Sequence, residues 1–168
     1  MLSTPPIAEP ADPVPARGGA LEVRNLVFSY GDGPRVLDGM SATFESGALT
    51  ALVGPSGSGK STVARLLARF HDPVEGSVLL GGDDLRDIAV RDVHRSVSVV
   101  FQDPQLLTLP LRENIRLARR DATDGEIMAA AKLANLDTVI AALPKGLDSV
   151  VNVDAVSYTH LTLPTTPY

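Results

Sequence analysis

Residues 54–61 read Gly54-Pro55-Ser56-Gly57-Ser58-Gly59-Lys60-Ser61, the pattern G-x-x-x-x-G-K-[ST]. No other stretch limits the fold so tightly, because this loop functions only between a strand and a helix. The preceding run, Ala48-Leu49-Thr50-Ala51-Leu52-Val53, is short, apolar and preceded by a glycine, which predicts a buried strand. The following run places Val63, Leu66, Leu67 and Phe70 at i, i+3, i+4 and i+7, which predicts a helix. The glycines let the backbone curl with its N–H groups pointing inward at an anion. The N-terminal end of the helix adds positive potential. Lys60 brings a point charge to β- and γ-phosphates, and the Ser61 hydroxyl is a ligand for Mg²⁺. A bare GxGxxG could be an ordinary Gly/Ser-rich loop. The complete pattern in this context implies a nucleoside triphosphate, without naming a family.

Composition narrows the partners. The 168 residues are enough for one domain with a core, and 44% hydrophobic content is ordinary for a globular protein. A net charge of −5 argues against nucleic acid or an anionic membrane as the main partner. With no cysteine there is neither a disulfide framework nor a thiolate metal site. No apolar run approaches the ~18 residues that span a bilayer, and the N-terminus does not read as a signal peptide. A cytosolic setting is the expectation. His71, His94 and His160 are scattered and lack ligand spacing, so none is assigned catalysis. Asp83, Asp84, Asp87 and Asp92 fit no calcium-loop pattern and read as a solvated loop.

Residues 1–19 hold five prolines and end in Gly18-Gly19, which predicts a semi-extended linker tethered to something upstream. A first strand is expected over Leu21, Val23, Val27 and Phe28, further short strands at Val36-Leu37, Ala42–Phe44 and Ser77–Leu80, and a turn at Tyr30–Pro34. Val90–Arg95 reads as a short helix and the β-branched Ser96–Phe101 as a strand. A helix begins at Thr123 or Asp124, with Ile127, Ala130, Ala131 and Ala134 on one face. Residues 155–168 contain no charged side chain but four threonines and two prolines, which suits neither helix nor core strand.

Three further features join the loop: Tyr30 at the end of the first strand, Val99-Val100-Phe101-Gln102-Asp103-Pro104, and Leu111-Arg112-Glu113-Asn114-Ile115. Together they resemble the nucleotide-binding domain of an ATP-binding cassette (ABC) transporter of the exporter type, in which membrane helices and ATPase share one chain. The resemblance covers residues 20–151. It implies an α/β P-loop NTPase of the ABC ATPase type: an antiparallel β subdomain, an incomplete P-loop core and the start of a helical subdomain. It implies ATP and Mg²⁺ as cofactors. Tyr30 matches the aromatic that stacks on adenine. Gly54, Pro55, Ser56, Gly57, Ser58, Gly59, Lys60, Ser61 and Thr62 match the phosphate loop. Gln102 matches the glutamine that reaches Mg²⁺ and the attacking water, and Ser61 the hydroxyl on the metal. Leu143–Asp148 matches the loop leading toward the signature motif. The implied partners are a membrane domain upstream on the same chain and a second nucleotide-binding domain in a head-to-tail dimer. The implied place is the cytoplasmic face of the plasma (inner) membrane.

The chain also departs from that family. Beyond Val151 no Leu-Ser-Gly-Gly-Gln-like signature follows, nor an apolar strand ending in Asp-Glu, nor the switch histidine. Residues 152–168 instead resemble translated adaptor or vector sequence. The expectation is a domain cut at both ends, poorly stable alone and unable to hydrolyse ATP. Two rival readings are an inactive nucleotide-binding fragment and a P-loop kinase of the nucleoside monophosphate type. The kinase reading gives no reason for Tyr30 or Phe101-Gln102-Asp103.

Overall fold

The computed structural model describes residues 7–102 and 106–151. The chain divides into two units, Met1–Val100 and Phe101–Tyr168, each taken by itself below.

The first unit is built on an antiparallel sheet. β1 (Leu21–Ser29), β2 (Arg35–Phe44), β3 (Glu75–Leu80) and β4 (Asp83–Asp84) are ordered β2-β1-β3-β4. Leu21 faces Phe44 on one side and Leu80 on the other, so β1 is the central strand. The strand expected over Leu21, Val23, Val27 and Phe28 is β1, whereas those expected separately at Val36-Leu37 and Ala42–Phe44 are the single strand β2. The apolar alternation of β1 breaks at a register shift between Val23 and Leu26, with Asn25 at φ 48°. A Cβ on Gly76 would run into the Arg24 and Asn25 carbonyls, so the bulged β1 needs a glycine opposite it. The Tyr30–Pro34 turn is closed by Gly33 N–H donating to the Tyr30 carbonyl at 3.1 Å.

Helix α1 (Lys60–Leu67) packs Val63 and Leu66 into a cluster with Val23, Leu26, Phe28, Leu37, Val78, Leu80, Leu85, Ile88 and Val93. Helix α2 (Val90–Ser96) contributes Val93. Two acidic residues here are engaged by arginines: Asp84, between the helices, caps the 3₁₀ turn Leu85–Asp87 and pairs with Arg86, and Asp92, on α2, pairs with Arg95.

Two expectations about this unit need correction. Residues 48–53 form no strand: Leu49 and Val53 are exposed, and no ladder partner lies among the described residues. Ser96–Phe101 likewise forms none, with Val100 exposed. Apolar runs of this kind become strands only when neighbours cover both faces and supply hydrogen bonds. The described part of the expected linker is also docked rather than free. Val14 forms an isolated parallel bridge with Ile88, its N–H donating to the Asp87 carbonyl at 2.8 Å. Glu9 accepts from the Val90 N–H at 3.1 Å, and Arg69 donates to the Ala8 carbonyl at 2.9 Å.

The described residues of the second unit form three short α-helices and a two-stranded ladder. β5 (Leu109–Pro110) pairs with β6 (Val150–Val151), and between them lie α3 (Leu111–Arg116), α4 (Asp124–Leu133) and α5 (Asp137–Ala142). Ile127, Ala131, Ile140 and Val151 are buried, whereas Ala130 and Ala134 are exposed, so the apolar face of α4 is narrower than expected. Thr123 caps α4 in a capping box with Glu126. Hydrogen bonds from Thr123, then the Arg119 guanidinium, hold the Glu126 carboxyl down at about 2. Arg112 ties α3 to Asp124 at 2.9 Å and to Asp148 at 2.7 Å. The Asn114 amide donates to the Leu107 carbonyl at 3.0 Å and accepts from the Leu107 N–H at 2.9 Å.

Candidate functional site: the phosphate loop and the Tyr30 platform

Residues 54–59 carry the chain into the N-terminus of α1, as the sequence requires. Gly57 and Gly59 adopt φ 80° and 85°, a region that side chains with a Cβ avoid. A Cβ on Gly59 would lie 2.7 Å from Leu37 Cδ2, so this glycine also lets the loop press onto β2. Space around Gly57 is open. Gly59 caps α1 by backbone alone, and the first turn of α1 holds no acidic residue, so its positive end is not neutralised locally.

The Lys60 ammonium turns back over the loop. It donates to the Gly54 carbonyl at 2.8 Å, the Pro55 carbonyl at 2.7 Å and Ser58 Oγ at 3.4 Å. A cation set over a glycine loop at a helix N-terminus suits the neutralising of a polyphosphate. Ser61, next along α1, is exposed and available as an oxygen ligand. Mg²⁺ is commonly bound by one or two protein oxygens together with substrate phosphates, and the Ser61 hydroxyl beside this loop suits that mode. The residues present therefore fit MgATP.

Thr62 is placed differently from the rest of the loop. Its side chain is buried and its Oγ1 lies 3.2 Å from the Tyr30 hydroxyl. Tyr30 also accepts a hydrogen bond from Arg65 Nη1 at 3.2 Å. Its ring meets Phe28 and His71 edge-on, with centroids 4.8 Å and 5.5 Å away. Burial, then the charge of Arg65, pushes the His71 imidazole below its ordinary value. Sequence reasoning missed Arg65 and His71 as neighbours of Tyr30. Thr62 and Arg65 are three apart on a helix and share a face, but nothing local links that face to a tyrosine 35 residues earlier.

Gln102 lies in the second unit, at an exposed bend. Asp103 and Pro104 and the segment from Asn152 fall outside the described residues, including the tail expected to be foreign. Among the described residues no cluster of three or more His, Asp or Glu is set to hold a metal, and no helix is long and apolar enough to cross a membrane.

Comparison with known proteins gives the same frame. Residues 37–159 match the family described as ABC transporter, a match that runs past the boundary at 151 read from the sequence. An uncharacterised ABC transporter ATP-binding protein of Bacillus subtilis, YfiC, is 41% identical over 137 residues, covering 82% of this chain and 23% of its own. The mitochondrial iron-sulfur clusters transporter ATM1 of Kluyveromyces lactis is 41% identical over 78% of this chain and 18% of its own. The mycobactin import ATP-binding/permease protein IrtA of Mycolicibacterium thermoresistibile is 43% identical over 81% of this chain and 15% of its own. A solved structure of a bacterial Atm1-family ABC exporter with ATP bound superimposes with a TM-score of 0.79 at 37% identity, covering 87% of this chain and 26% of that one. The chain thus spans about a quarter or less of the length of these relatives. A glycine loop leading into α1 beside an antiparallel sheet, together with these matches, makes the chain a member of the ABC transporter family, carrying its ATP-binding fold.

Proposed function

We propose that this chain is the ATP-binding portion of a transporter that couples ATP binding and hydrolysis to export of a substrate across a membrane. The observation that carries the reading is the Lys60 ammonium held at the mouth of a complete phosphate loop, 2.8 Å from the Gly54 carbonyl. The loop from Gly54 to Thr62 binds the phosphates through the N–H groups of its non-proline residues, with Pro55, Ser56, Gly57, Ser58 and Gly59 setting its curvature. Lys60 neutralises the β- and γ-oxygens, Ser61 ligates Mg²⁺, and the face of Tyr30 stacks on the base. Gln102 is assigned to the metal and the attacking water. When bound, MgATP supplies the phosphoryl group, whose transfer to water depends on positioning and charge neutralisation.

The proposed division is a linker over residues 1–19, the ATP-binding portion over 20–151 and a separate tail over 152–168. The proposed partners are a membrane domain upstream and a second ATP-binding domain packed head-to-tail, at the cytoplasmic face of the membrane. For the 168 residues themselves we propose nucleotide binding without turnover. Their sequence holds no apolar run ending in Asp-Glu, the pattern that would supply a carboxylate to activate the water. Membership of the ABC family leaves the kinase reading without support.

Titration calorimetry with MgATP tests the assignment. Lys60→Ala removes a charge-assisted contact and is expected to weaken binding by ~2 kcal/mol or more. Unchanged affinity refutes it. A phosphate-release assay tests the second part, and Lys60-dependent turnover by this chain overturns it. Direction is tested in vesicles carrying the complete transporter, since one relative is named as an importer.

A further inference from the structure

Tyr30 is held at several points by residues of three segments. Phe28, on β1, packs against one side of the ring with centroids 4.8 Å apart, and His71, just beyond α1, packs at 5.5 Å. Thr62 and Arg65, both on α1, meet the hydroxyl at 3.2 Å each. A guanidinium carries only donors, so the phenol oxygen accepts from Arg65. That leaves the phenol proton free to donate to Thr62 Oγ1. The χ2 torsion of a tyrosine is otherwise broad. Here the hydroxyl anchors fix where the ring axis points and the edge contacts with Phe28 and His71 fix its plane, while Tyr30 remains 39% exposed.

We infer that Arg65 is a positioning residue for base recognition, holding the Tyr30 ring through its hydroxyl in the orientation that stacks on the nucleobase. The inference rests on the reading of Tyr30 as the base platform. Thr62, 6% exposed, is the buried second anchor. Both anchors stand on the helix that begins at Lys60, so the platform and the phosphate loop share one rigid element. An ordered platform pays less conformational entropy on binding than a rotating one. The hydroxyl of Tyr30 therefore matters to affinity although it does not touch the ligand. On ring stacking alone, Tyr30→Phe would be silent; with the anchor in place it is not.

The test uses the full chain and two probes, MgATP and magnesium tripolyphosphate, which fills a phosphate loop but has no base. Arg65→Ala is expected to weaken MgATP binding about three- to tenfold, the scale of one lost hydrogen bond, and to leave tripolyphosphate binding unchanged. Tyr30→Phe should show the same split. Arg65→Lys should recover part of the loss, because an ammonium also donates. In a Tyr30→Ala background Arg65→Ala should cost nothing further for MgATP. Equal losses for both probes, no loss for MgATP, or a fully additive loss in the Tyr30→Ala background would overturn the positioning role. Lys60→Ala separates the two layers. If it weakens both probes while Arg65→Ala weakens neither, only the role of Arg65 fails. If Lys60→Ala weakens neither probe, the phosphate-loop reading fails and takes this inference with it.

Discussion

Arg69→Ala is expected to destabilise the first unit severely and to release its N-terminal segment. Arg69 is 1% exposed and sits just past the end of α1 at φ 52°. From there its guanidinium reaches the Ile88 carbonyl at 2.5 Å, the Ala8 carbonyl at 2.9 Å and the Asp72 carboxylate at 3.2 Å. A fourth, longer contact runs to the Arg86 carbonyl at 3.4 Å, and the contacts differ in what their loss costs. Asp72 is a third exposed and rehydrates, so its pairing counts for little. Ala8 is exposed and its carbonyl also recovers water. Ile88 is fully buried, so its carbonyl loses a charge-assisted donor with no water to replace it. An orphaned buried acceptor costs about 1–3 kcal/mol, and removing a buried arginine stem adds a void. The sum is ~3 kcal/mol, a large part of the ~5–15 kcal/mol a domain has. For a unit of about 100 residues that lowers the melting midpoint by roughly 10–20 °C. Thermal melts followed by far-ultraviolet circular dichroism measure it. Arg69→Lys, with one ammonium able to serve Ile88 alone, should fall between. Amide exchange supplies an independent readout: protection at Val14, whose N–H donates to Asp87 at 2.8 Å, should drop with Arg69→Ala. An unchanged midpoint with Val14 still protected would refute the reasoning.

Acidification offers a second test through His71. Its folded value lies below 6.5, so the stability it confers is complete above pH 6.5 and is lost as pH falls through the folded value. His71→Gln should flatten that part of the midpoint-against-pH curve, and an unaltered slope would count against the assignment. For Glu126 the same reasoning places the loss lower: its contribution is present above pH 4.5 and disappears as pH falls through about 2. Thr123→Ala, which removes the α4 cap, should cost about 1 kcal/mol in urea unfolding, and no change would mean the capping box is idle. The uncovered Leu49 and Val53 should drive concentration-dependent association, visible by light scattering after size exclusion. Leu49→Lys with Val53→Ser should suppress it, and association that persists unaltered would place the contact elsewhere.

The glycine loop leading into α1 was legible because its conformation is local. Glycine at positions 57 and 59, lysine at 60 and a hydroxyl at 61 specify backbone conformation and charge without help from distant residues. The cap at Thr123 and the turn after Tyr30 were legible for the same reason. Helix α1 was legible as an apolar stripe, although it ends at Leu67 and Arg69 turns away in the left-handed region to meet Ile88. What sequence could not decide was which segments find partners. Residues 48–53 and 96–101 have strand composition, yet a strand exists only where another backbone completes its hydrogen bonds, and composition does not carry that information. Residues 7–19 have linker composition, yet backbone bonds to Asp87 and a buried arginine 61 residues from Ala8 dock them. Long-range pairing alone likewise brought Arg65 and His71 to Tyr30, turning a position in a motif into an anchored ring.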